Sequence, residues 1–239
     1  MHQSRHVKCL FCAPRSTPHL TAKSLRWDSR YEVELQNFEE CGDEGEIWFG
    51  RSAEKRQVIV AACGMIIDFA TSNIPTSANI LDLGCGNGSV LRRLRSRGYS
   101  RLTGVDYCPA AIELARRASE DENHKATITF EVMDVLSPSS RGFLANQYDV
   151  VLDKGTWDAM SLSNDREDRL TAYRGAVVEA LCSSGLFVIF SCNFTREELC
   201  KFFEAGSSLA FHCEIPATHA ITFGGRQGVT STGVVFKKL

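Results

Sequence analysis

No stretch of the 239-residue sequence approaches the roughly 18 consecutive apolar residues of a membrane-spanning helix, so a soluble protein without membrane partners is expected. A dominant charge is missing too: 27 basic against 29 acidic side chains leave a net charge of -2. No global positive field therefore argues for direct nucleic-acid binding. With 44% apolar and 23% charged residues, the collagen, coiled-coil and wholly disordered classes are excluded, and a sizeable core can form. Asp and Glu are absent from residues 1–27, where Arg5, Lys8, Arg15, Lys23 and Arg26 fall. That bias is shared by organelle transit peptides and disordered tails. A disordered basic tail over 1–26 is expected, followed by one domain over 27–239. The 10 cysteines are scattered and lack the loop spacing of a disulfide framework, which points to a reduced, intracellular setting. The cytoplasm is the expected compartment, with the nucleus second and organelle targeting a minor alternative. Cys9 and Cys12, near His6 and His19, have no second ligand pair at metal-binding spacing, so no metal is expected.

Beyond the tail, helical and strand patterns alternate. Apolar residues from Val58 to Phe69 recur at helical spacing and predict a helix over 52–70. Strands are expected over 79–83, 101–106, 126–135, 148–153 and 186–191, and helices over 90–97, 110–119 and 165–181. Ser184-Gly185 is expected to close the last of these. Thr195 and Glu198 form a capping box that opens a further helix, ending near Gly206. Residues 209–215 and 232–237 read as two strands too loosely connected to be parallel neighbours. The expected fold is α/β: a three-layer, Rossmann-like, mostly parallel seven-stranded sheet with an antiparallel edge strand.

In such sheets ligands lie beyond the carboxyl ends of the strands, near the point where strand order reverses. The first strand ends there in Asp82-Leu83-Gly84-Cys85-Gly86-Asn87-Gly88, whose alternate glycines permit a tight turn and close approach of a ligand. A dinucleotide fingerprint needs its third glycine where Ser89 stands, and no Gly-Lys-Ser or Gly-Lys-Thr of a phosphate loop follows. The second strand ends in Asp106, placed to accept both hydroxyls of a ribose. An acid there is shared with NAD proteins; together with the turn it favours an adenosyl ligand lacking a pyrophosphate.

These residues resemble the class I, seven-strand methyltransferases that bind S-adenosylmethionine and release S-adenosylhomocysteine. The resemblance implies donor contacts from Asp82, Gly84, Cys85, Gly86, Asn87, Gly88, the ribose-binding Asp106 with Tyr107, and Asp134 and Val135 at the adenine. Four further stretches resemble the lysine methyltransferases that modify translation elongation factor 1A: Gly45-Glu46-Ile47-Trp48-Phe49-Gly50, Asp153-Lys154-Gly155-Thr156-Trp157-Asp158-Ala159, Ser191-Cys192-Asn193 and Phe223-Gly224-Gly225-Arg226. Departures are Trp157 and Phe194, each one aromatic in place of another, and Arg51 where an acid is expected. The implied partner is a protein, elongation factor 1A; a monomer is expected, although the sequence itself does not identify the oligomeric state.

Methyl transfer to an amine is an in-line displacement, so the site must chiefly align the nucleophile with the methyl. The resemblance places Asp153 beside the donor, where it either orients the amine and takes its proton or caps a turn. Trp48 and Phe49 either cover the adenosyl group and shape a lysine channel or pack in the core. Trp157 and Asn193 follow the fourth and fifth strands and are expected at the acceptor rim, while Glu46 is a candidate for the amino-acid end of the donor. An Asn- or Asp-Pro-Pro-aromatic motif of nucleic-acid amino methylation is absent after the fourth strand, and no Pro-Cys nucleophile of a cytosine enzyme occurs. A small-molecule or RNA methyltransferase and a non-catalytic donor-binding module remain as alternatives.

Overall fold

The computed structural model describes residues 24–42, 45, 53–120, 127–206, 208–216, 220–223, 226–229 and 231–239. The expected tail up to residue 23, Glu46, Trp48, Phe49, Gly224 and Gly225 lie outside them. Strands that are covered on both faces read as apolar runs. β1 (Asn79–Leu83), β2 (Arg101–Asp106), β3 (Thr129–Val132), β4 (Tyr148–Lys154) and β5 (Leu181–Ser191) pair in parallel in the order β3-β2-β1-β4-β5. β6 (Leu209–Ile215) is followed by a separate hairpin of β7 (Ala220–Phe223) and β8 (Arg226–Val229), and β9 (Thr232–Lys238) returns antiparallel between β5 and β6. The sheet is thus seven-stranded and mostly parallel, and its antiparallel strand stands one place in from the edge.

Alternate residues of each strand feed opposite layers, as the two-residue period requires. On one face Ile80, Leu102, Val150, Leu152, Val188 and Val235 pack beneath α2 (Ala53–Asn73), α3 (Ser89–Arg95) and one side of α4 (Pro109–Glu120). On the other, Leu81, Leu83, Val151, Phe187, Ile189 and Phe236 meet α5 (Pro138–Leu144), α6 (Thr156–Ser161), α7 (Arg166–Ala180) and α8 (Arg196–Glu204). α1 (Ser24–Cys41) lies outside α4, with Tyr31 packed against Cys108, Ala111 and Leu114.

The capping box holds: Thr195 Oγ1 accepts the Glu198 N–H at 3.2 Å, and the Glu198 carboxylate accepts the Thr195 N–H at 2.8 Å. Several boundaries differ from expectation, two of them for a visible physical reason. Ser184-Gly185 does not close α7 but lies inside β5, where Ser184 takes φ 63°. The pairing skips from Tyr148–Leu181 to Val150–Leu186, so this is a bulge that admits buried Leu181 to the sheet. β3 stops at Val132 rather than 135, since Asp134 turns the chain by accepting the Leu136 N–H at 3.0 Å. The eight described cysteines are all unpaired, and no described helix is long and apolar enough to cross a membrane.

Candidate active site

The strand order reverses between β1 and β4, and the carboxyl ends of β2, β1, β4 and β5 lie side by side, where a sheet of this kind places its ligand crevice. The turn after β1 is held by its own backbone, with the N–H groups of Gly84 and Cys85 both donating to the Val105 carbonyl at 2.8 and 3.0 Å. Gly84 and Gly86 have φ of 72° and 55°, a left-handed conformation that strains any side chain. Their missing side chains make room for the protein itself. A Cβ on Gly84 would stand 2.0 Å from Thr156 Oγ1, which donates to the Leu83 carbonyl at 2.7 Å. One on Gly86 would stand 2.4 Å from Tyr31 Oη, and one on Gly88 2.7 Å from the Phe130 ring. The bare glycines thus let α6, α1 and β3 pack against the turn.

The ligand-directed groups are carboxylates. Asp106, at the end of β2, is 7% exposed and accepts one backbone N–H on each oxygen, from Gly86 at 3.1 Å and Cys108 at 3.0 Å. A carboxylate offers about four acceptor positions, so some capacity beyond the N–H groups of Gly86, Cys108 and Tyr107 stays available to ligand hydroxyls. Burial pushes its pKa up to about 6 against the opposing pull of those N–H groups, with Asp28 adding to the rise. Asp82, 3% exposed on β1, receives no hydrogen bond from any described residue. Burial raises it to about 7; Lys154 across the crevice pulls it down, and Asp106 pushes it up. Two buried acids, one without a donor, fit a ligand that brings a vicinal diol and positive charge, and they repel a pyrophosphate. S-adenosylmethionine, with its ribose, ammonium and sulfonium, meets those requirements.

A pH dependence follows. A carboxyl whose folded pKa lies above its usual 3.8 disfavours the fold when ionised, so these two acids withdraw stability as pH rises from about 4 to about 7. A cationic ligand prefers them ionised. Donor affinity is therefore expected to fall about tenfold between pH 7.5 and pH 6, read by titration calorimetry. A flat profile would show that neither acid faces the donor.

The remaining expected residues divide. Asn87 bridges segments, donating to the Gly45 carbonyl at 2.8 Å while its oxygen accepts the Ser89 N–H at 3.2 Å. Cys85 is buried beside Asp82 and Asp106, and burial holds its thiol protonated. Tyr107 is 37% exposed next to Asp106. Asp134 is exposed and accepts the Leu136 N–H in its turn, and Val135 belongs to the same buried cluster as Leu144 and Tyr148.

Asp153 is the most enclosed of the expected residues that are described. It has 0% exposure, and its oxygens accept the Thr156 N–H at 2.8 Å, the Trp157 N–H at 2.9 Å and the Tyr173 hydroxyl at 2.6 Å. Of its two expected roles the structure shows the cap: its carboxylate satisfies the first N–H groups of α6. Trp157, 1% exposed, is not at the rim but packs against the rings of Tyr173, Phe194, Phe202 and Phe203. Asn193 is exposed two residues beyond the end of β5. Tyr31 was not anticipated. Its buried hydroxyl stands over Gly86, and burial, then the charge of Asp106, keeps it protonated as a donor. The helical spacing of Trp27, Tyr31, Leu35 and Phe38 is the signal that marks this face of α1.

A glycine turn and buried acids at neighbouring strand ends, on a sheet of this order, are the donor end expected of a class I S-adenosylmethionine-dependent methyltransferase. The architecture matches that of magnesium protoporphyrin IX methyltransferase from Synechocystis, solved with bound S-adenosylmethionine, at a TM-score of 0.63 and 14% identity over 94% of this chain and 100% of that one. Residues 75–226 match the family described as "Methyltransferase domain". The sequence is 39% identical to EEF1A lysine methyltransferase 2 of Danio rerio over 213 residues, 89% of this chain and 85% of that protein. It is 35% identical to protein-lysine N-methyltransferase EFM4 of Saccharomyces cerevisiae over 238 residues, 95% and 97% of the two chains. The chain belongs to this family of protein-lysine methyltransferases.

Proposed function

We propose that the protein transfers a methyl group from S-adenosylmethionine to a lysine of translation elongation factor 1A, acting as a monomer. The donor half of this reading is carried by the buried Asp82 and Asp106 around the turn after β1; likeness to the Danio rerio enzyme along 89% of the chain supports the acceptor half. The bound donor supplies an electrophilic methyl on a sulfonium. Asp106 takes up the two ribose hydroxyls, and Asp82 with Lys154 receives the oppositely charged groups of the amino-acid end. Neutralising an exposed lysine at pH 7.4 costs about 4 kcal/mol. The half-buried Lys154 lowers that cost, since a nearby like charge disfavours the ammonium. Asp153, closed off by three hydrogen bonds, leaves the proton to solvent.

Incubation of the purified protein with methyl-labelled donor and elongation factor 1A is expected to label the factor on lysine, as mapped by peptide mass spectrometry. Label on RNA or a metabolite instead would move the protein to another acceptor class. Donor uptake without transfer to any of the three would make it a binding module.

A further inference from the structure

The connections that follow β4 and β5 are joined by one buried carboxylate. Asp158, on α6 and 1% exposed, accepts the Ser191 hydroxyl at 2.5 Å and the Cys192 N–H at 2.7 Å; burial raises its pKa, and these two donors with the Asn193 N–H oppose that rise. The Ser191 oxygen in turn accepts the N–H groups of Asn193 at 3.2 Å and Phe194 at 3.0 Å. A hydroxyl has a single proton to donate. Because Ser191 spends it on Asp158, its lone pairs are turned to the bend, and the direction of every bond in the network is set by that carboxylate.

The network sits beside the donor site. The charge of Lys154 acts both on Asp82 in the crevice and on Cys192 in the bend. At its start α6 is fixed by Asp153; at Asp158 it fixes the bend in turn. The exposed residues of that bend are Cys192 and Asn193. We infer that Asp158 is a positioning residue for the acceptor lysine, holding the Cys192-Asn193 bend in register with the donor-binding acids Asp82 and Asp106. The inference rests on the protein-lysine reading above. Its physical basis is the alignment demand of in-line transfer, where a displacement of about 1 Å costs on the order of 100-fold in rate.

Two variants test it. In Asp158→Asn an amide NH2 replaces one acceptor among N–H donors, so the bend loses part of its anchor. In Ser191→Ala the carboxylate keeps the Cys192 N–H and only the relay is lost. With wild type active on elongation factor 1A, Asp158→Asn is expected to raise the KM for that protein about fivefold or more and to lower kcat about tenfold, while the Kd of S-adenosylhomocysteine stays within about twofold. Ser191→Ala should move the same quantities by less, and the double variant should be no worse than Asp158→Asn alone, because the two groups act as one network. Unchanged KM and kcat in both variants, a parallel loss of donor affinity, or additive effects would overturn the inference. Should Asp158→Asn fail to fold, Ser191→Ala decides: a raised acceptor KM at constant donor Kd upholds it, and wild-type kinetics overturn it. A wild-type protein that leaves elongation factor 1A unlabelled sinks the substrate reading and this inference with it. A labelled factor with unaltered variants sinks this inference alone.

Discussion

Asp106→Ala is expected to weaken S-adenosylhomocysteine binding by about 100-fold to 10,000-fold, since two hydrogen bonds to a charged acceptor, each contributing about 1.5–3 kcal/mol, disappear together. The ligand-free fold should barely notice. The Gly86 and Cys108 N–H groups lose their acceptor, but an acid held at about 6 by burial is also removed, and its ionised form opposed folding above that pH. The two effects have opposite signs. Calorimetry of wild type, Asp106→Ala and Asp106→Asn, with melting curves alongside, separates a lost ligand contact from a lost fold. The asparagine variant keeps the shape and loses the charge, so it should fall between the other two. Equal affinity in all three would remove the sugar from the end of β2 and leave the proposed donor site without its anchor.

The largest expected loss of stability comes from Trp157→Ala. The side chain is buried among four aromatic rings, and truncating a buried Trp costs about 3–5 kcal/mol. For a domain of this size the corresponding drop in Tm is about 6–20 °C. Trp157→Phe should be far milder. The indole Nε1–H is buried and has no acceptor among the described residues, so phenylalanine keeps most of the apolar contact and removes an unsatisfied donor. Thermal melts of both variants, with methyl transfer measured on the phenylalanine form, check the assignment. A stable Trp157→Phe protein that had lost transfer would return this residue to the acceptor rim.

The contrast between these two residues shows what a sequence can carry. Asp82 and Asp106 were legible because their positions follow from a topological rule: apolar runs mark the strands, and in a parallel sheet the ligand side is always the carboxyl end. The capping box at Thr195 was legible because it is local, with both partners within four residues. Trp157 and Asp153 were harder. Both lie where a strand hands over to α6, which has six residues, too short to show a periodicity. Which way a side chain points there depends on where the helix starts, and that start is set by the Asp153 carboxylate itself. Ser184-Gly185 misled for a related reason. The same small pair suits a helix stop and a bulge, and only the pairing of Leu181 with Tyr148 selects the bulge.

By itself, then, the amino-acid order determined a mostly parallel sheet, a left-handed turn after the first strand and acids at successive strand ends, because each depends on neighbours in the chain or on the handed connectivity of strands and helices. Only the tertiary structure decided that the turn glycines admit Thr156, Tyr31 and Phe130, that Asp153 caps a helix, and that Asp158 ties two connections together. Apart from the Asp153 bonds to Thr156 and Trp157, which are local but leave the choice of partner to packing, those contacts join residues far apart in the chain. No local preference encodes such a distance; it is settled when the layers pack and each buried polar group must find its partner.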